Sequence, residues 1–172
     1  MGKSEIAQTQ EDELVREPTL SLSEESQEVL RIALEEAASV GRGQWIDTSD
    51  LLVGLSKVGV LGQTLGKAGV NPESIRKVKM EIGGYKHLNR ANPPSNQSSA
   101  IQAWKQIPMT VRLHKIAMMA TKKVLNDGRE SINPEDILDV IMEEGEAVLN
   151  SNVGAQILKR LGVNRSGLSL VT

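Results

Sequence analysis

The sequence has no cysteine, no phenylalanine, one tyrosine, two tryptophans and two histidines. Without cysteine there is no disulfide framework, no thiolate metal site and no thiol nucleophile, which fits a reducing compartment and gives a cytoplasmic expectation. His87 and His114 cannot make a zinc site unaided, and no metal or other cofactor is expected. With an aromatic share of 2%, the core must be built from Leu, Ile, Val, Ala and Met, which suits packed helices better than a β-sandwich. No apolar run approaches the roughly 18 residues needed to cross a bilayer. Glu5, Glu11, Asp12, Glu13 and Glu17 exclude an acid-poor transit peptide, and Ile6 stands where a myristoylation motif after Gly2 needs a hydroxyl. The formal charge of −2 gives no footprint for nucleic acid or a membrane surface, so neither is an expected partner.

What is present is written twice. Ser26, Val29, Leu30, Ala33 and Ala37 recur 87 residues later as Leu113, Ile116, Ala117, Ala120 and Val124. Both sets have the i, i+3, i+4, i+7, i+11 spacing of one helical face. Each helix follows a hydroxyl able to cap it, Ser23 or Thr110. Each runs into a glycine suited to closing it, Gly41 or Gly128.

Two similar helix entrances come next, IDTSDLL from Ile46 and INPEDIL from Ile132. Asn133 fits the N-cap, Pro134 the first helical position and Asp136 the third, where a carboxylate meets free amides. Asp47 and Asp50 hold equivalent places. The pattern predicts helices over about 48–57 and 134–143, broken at Gly59 and Gly145. A third pair ends in Ala68-Gly69-Val70 and Leu161-Gly162-Val163. The offset has then grown from 86 to 93, so the second copy carries about seven extra residues, expected as a loop around 146–152. A fourth helix opens at Asn71-Pro72-Glu73, with Ile75, Val78 and Ile82 on one face. Its counterpart, NRSGLSLVT, contains Gly167 and is expected to be frayed or missing.

The expected fold is therefore all-α, two tandem pseudo-symmetric four-helix repeats packed into one domain. Its parts are a flexible tail at 1–20, repeats at 21–84 and 107–172, and a Pro-, Ser- and Asn-rich linker at 85–106. A repeat of about 60 residues is marginal alone, so the two should pack on each other.

Few residues invite a catalytic reading. Gly62-Gln-Thr-Leu-Gly66-Lys67-Ala68 is too short between its glycines for a phosphate loop and lacks the magnesium-binding hydroxyl. The pairs Glu24-Glu25, Glu35-Glu36 and Glu143-Glu144 read as solvated helix faces, because adjacent helical residues diverge by about 100°. No Ser lies at a recognisable triad spacing from His and Asp. Met109, Met118, Met119 and Met142 read as core filler first and adaptable binding surface second. Trp45 and Trp104 would be partner anchors if exposed. Short helices with tight turns also raise a helix-turn-helix DNA binder, but Asp50, Asp136, Asp139, Glu143 and Glu144 give its would-be recognition helices the wrong sign.

The ordered set resembles the N-terminal repeat domain of Clp-type AAA+ unfoldases. LSEESQEVLRIA and MTVRLHKIAMMA are similar to that domain's opening helices, DTSDLLVGL and NPEDILDVI to its second helices, and LGKAGV to its third turn. The resemblance covers about residues 20–83 and 107–168. It implies binding without catalysis: a protein- or peptide-binding module, adaptor or regulator of ATP-dependent Clp proteolysis. Its partners would be a Clp ATPase or protease component, an adaptor, or a substrate peptide. In some members of the family the opening threonine and an acid at the second-helix entrance line a phosphoarginine site in each repeat. Carried over, the second repeat keeps both, as Thr110 and Glu135, while the first has Ser23 and Ser49. Asn133-Pro134 replaces the family's Gly-Thr, and Asp136 and Asp50 replace its His. The expected site therefore lies in the second repeat, on Thr110 and Glu135, with Ser23, Ser49 and Asp136 as weaker members. No ATPase module follows, so a stand-alone double repeat is expected.

Overall fold

Hydroxyls, side-chain amides and a carboxylate cap most of the helix starts, and glycines end several of them. The computed structural model describes residues 20–40, 45–83, 104, 109–147 and 152–164. Strand β1 (Ser21–Leu22) leads into α1 (Glu24–Ser39), followed by α2 (Thr48–Leu55), α3 (Gly59–Lys67) and α4 (Pro72–Glu81). The second half contains α5 (Val111–Asn126), β2 (Ser131–Ile132), α6 (Pro134–Ala147) and α7 (Val153–Arg160). Ser23 Oγ accepts from the Ser26 amide at 3.2 Å, and Thr110 Oγ1 from the Leu113 amide at 3.3 Å. Each hydroxyl thus satisfies one free donor of a first turn. At the other ends, amides of Val70, Arg129 and Val163 reach back to the carbonyls of Leu65, Val124 and Leu158 at 2.8, 3.0 and 2.9 Å. The residue before each is a glycine at positive φ, as this closure requires.

Each half is built on an antiparallel helix hairpin. In the first, α1 and α2 meet at Gly54, where a Cβ would stand 2.3 Å from the Val29 carbonyl oxygen. In the second, Arg112 pairs with Glu144 at one end and Lys123 with Asp139 at the other. The halves then interlock through a crossed exchange of short strands. Parallel pairing joins Leu22 to Ile132, and its pseudo-symmetric counterpart joins Met109 to Ile46. One apolar cluster runs through both halves, from Val29, Leu51 and Leu55 to Ile116, Ile137 and Ile157. The third helix of the second half reaches across: α7 packs on α2 and α4, and the Gly154 amide donates to Thr48 Oγ1 at 3.0 Å. Among the described residues no helix is long and apolar enough to cross a membrane.

Several expectations change. The second entrance helix does not stop at Gly145; it continues to Ala147, so the first residues of the expected loop are helical. The first ends at Leu55, two residues early. Trp104 is 2% exposed and belongs to the core cluster, so it is not an anchor on a surface linker. Met109 and Met142 are buried while Met118 is exposed. Glu36 and Glu144 are buried as well, against the expectation of solvated pairs. Glu36 accepts two bonds from Arg76, at 2.7 and 2.6 Å, and Glu144 pairs with Arg112 and, at 3.6 Å, with Lys115. The phosphate-loop look-alike is ordinary helix α3, with Leu65 in the core. The expected tail, Gly41, most of the linker and residues 165–172 lie outside the described residues.

Candidate functional site at the crossed helix entrances

Both entrances use an aspartate to close the start of the helix. At α2, Asp47 Oδ1 accepts from the amides of Ser49 and Asp50 at 2.8 and 3.1 Å, while Asp50 Oδ2 accepts from the Asp47 amide at 2.9 Å. This reciprocal box satisfies donors that the first turn leaves free. Lys79, on α4, inserts its ammonium 3.0 Å from Asp47 Oδ2 and 3.5 Å from Asp50 Oδ1. All three groups are buried. Charges removed from water need such pairing to persist.

At α6 the same arrangement recurs with another cation. Asp136 Oδ2 accepts from the Asn133 amide at 2.9 Å. Arg129 grips the Asp136 carboxylate with both terminal guanidinium nitrogens, Nη1 and Nη2, at 2.9 and 2.6 Å. Those bonds raise the Arg129 pKa above its ordinary value against the opposing effect of burial. Asp136 is thus committed to capping and ion pairing.

The strand exchange decides which residues share a mouth. The Ser23 amide donates to the Ile132 carbonyl at 3.0 Å, and Ser26 Oγ donates to the same oxygen at 2.8 Å. Ser23, from the first half, therefore stands at the α6 entrance, whose first turn carries Glu135. Reciprocally, the Thr110 amide donates to Ile46 at 3.1 Å, which puts Thr110 at the α2 entrance with Ser49. Sequence reasoning paired Thr110 with Glu135 because both lie in the second half. They sit instead at opposite ends of the α5–α6 hairpin, whose 16-residue first helix spans about 24 Å. One small ligand cannot touch both.

The two mouths are not equivalent. Ser49 is buried and its hydroxyl donates to Asp47, so the Thr110 mouth presents no acid at that position. Glu135 is half-buried in the first turn of α6 and has no ion-pair or hydrogen-bond partner among the described residues. Its carboxylate is free to accept from an incoming cation or donor. Among the described residues no three acid, histidine or cysteine side chains converge to hold a metal ion.

An interlocked double helical repeat with paired, cap-closed entrances defines the class of protein. The model of the Clp repeat (R) N-terminal domain matches residues 21–161, and the chain belongs to that family. Among solved structures it is similar to the N-terminal domain of the caseinolytic protease associated chaperone ClpD from Arabidopsis thaliana. The identity is 20% and the TM-score 0.57, over 83% of this chain and 88% of that one. At that identity the likeness concerns the fold.

Proposed function

We propose that this chain is a non-catalytic protein- or peptide-binding module that acts as an adaptor or regulator of ATP-dependent Clp proteolysis. Its partners are a Clp ATPase or protease component, an adaptor, or a substrate segment. The observation that carries the reading is the free carboxylate of Glu135 at the crossed entrance of α6, within a family built as a binding domain. The Glu135 carboxylate can take a guanidinium, and the positive end of the α6 dipole favours an anionic group beside it. A phosphorylated arginine has both. Thr110, at the other mouth, is the weaker contact because no free acid faces it there.

Purified protein should hydrolyse no ATP and should retain a Clp component in a pull-down from its own cells; recovering none would sink the reading. Glu135→Ala should weaken binding of a phosphoarginine peptide about tenfold, the scale of a lost charge-assisted bond. Stability should stay within about 1 kcal/mol, since the residue supports only the helix dipole. Unchanged affinity by calorimetry would remove Glu135 from the site.

A further inference from the structure

The residues added to the second repeat build a wall that the first repeat lacks. Helix α2 ends at Leu55, whereas α6 continues to Ala147. The added turns bring Gly145 and Glu146 against α7. Gly145 permits that approach, because a Cβ there would stand 2.1 Å from the Cβ of Ala155. The start of α7 is pinned by Asn152, whose side chain donates to the Ile141 carbonyl at 3.0 Å and accepts from the Ala155 amide at 3.1 Å. Both walls are therefore held by tight contacts before any ligand arrives.

Between them lies a groove of about 390 Å³, with buried Met142, Leu158 and Val163 in its lining. That volume falls in the range of about 300–1,000 Å³ usual for ligand pockets. Of the polar side chains on its lining, Asn152 is used as above, while Glu146, Gln156 and Asn164 already have polar partners. Lys159 is exposed and no described residue pairs with it. Helix α7, VGAQILKR, carries Lys159 and Arg160 and no acid.

The geometry points to this groove as a second peptide site, separate from the helix entrances. It takes a segment that buries a leucine-sized apolar side chain and sets a carboxylate against Lys159. The inference rests on the reading of the chain as a peptide-binding module, and names one sequence class such a module would select. An apolar floor supplies the affinity, and one exposed cation supplies a modest preference of sign.

The test is a titration of the full chain, labelled at its Met, Leu and Val methyls, with three capped hexapeptides. Their central pairs are Leu-Asp, Leu-Lys and Ala-Asp, each flanked by Ser and Gly. Leu-Asp should shift the Met142, Leu158 and Val163 methyls saturably. Leu-Lys should bind about threefold more weakly, and Ala-Asp about tenfold or more. Lys159→Glu should reverse the Asp-over-Lys preference, and Gln156→Trp should block the groove, both with an unchanged melting temperature. Shifts confined to the α6 entrance, no saturable shifts, or a preference untouched by Lys159→Glu would overturn the proposal. So would contacts of Leu168 or Val171 with Met142 in the free protein, which would give the groove to the chain's own end. If a Clp component is retained while the groove methyls stay silent, only this inference fails; if none is retained, the functional reading fails first.

Discussion

Lys79 is held between Asp47 and Asp50 beneath α4, and this buried charge cluster joins the fourth helix to the second. Removing the cation takes a buried countercharge away from two carboxylates in a low-dielectric site. Lys79→Ala should therefore cost about 3–5 kcal/mol in a urea unfolding curve, while Lys159→Ala on the exposed face of α7 should cost under about 0.5 kcal/mol. Glu36 gives a second test, in pH. Hydrogen bonds from Arg76 hold its carboxyl below the ordinary glutamate value, with burial opposing. The stabilisation is present above the unfolded-state value of about 4.3 and is lost as pH falls through the lower folded value. Glu36→Gln should flatten that part of the acid limb of a pH–stability profile; an unchanged limb would assign acid loss to other carboxylates. The burial of both Glu36 and Glu144 was legible in principle. Each falls on its helix's apolar stripe, three residues after Ala33 or Ile141. Reading them as members of adjacent pairs hid that periodicity.

At the scale of elements, helix starts were readable because capping is local. The side chains of Ser23, Asp47, Asn71 and Thr110 each accept from an amide two or three residues on, and such bonds need nothing from the rest of the chain. The end of α6 was not readable, because glycine permits a break without requiring one. Gly145 sits where Ala155 approaches closely, a tertiary reason. Pseudo-symmetry also weakens at this level. Helix α7 packs on α2 and α4, while α3 makes no comparable contact with the second half, and Val60 on α3 is 72% exposed. Native-state hydrogen exchange should therefore show amides of α3 opening well before those of α2 and α6, with less protection by about 2 kcal/mol or more. Equal protection across the three would contradict the asymmetry.

At the scale of the molecule, the crossed strands and the shared core make the halves one folding unit. Each half lends the strand that borders the other's second-helix entrance, and the apolar cluster draws on both. The full chain should unfold in a single cooperative transition, with thermal curves from circular dichroism and tryptophan fluorescence superimposing. A fragment of residues 21–84 should show no such transition, since about 60 residues without the partner surface cannot offset their conformational entropy. A cooperative melt from that fragment would show that the halves are independent domains.

The sequence by itself determined the all-α fold class, the duplication and the places where helices begin. Those follow from composition, periodicity and capping, which act within a few residues of one another. Only the tertiary structure decided which residues meet at a mouth. Sequence offset assigns Thr110 and Glu135 to one half, yet strand exchange seats Glu135 with Ser23 and Thr110 with a buried Ser49. Hydrogen bonds between segments some 60 to 110 residues apart set that pairing, and such contacts form only when the chain is packed.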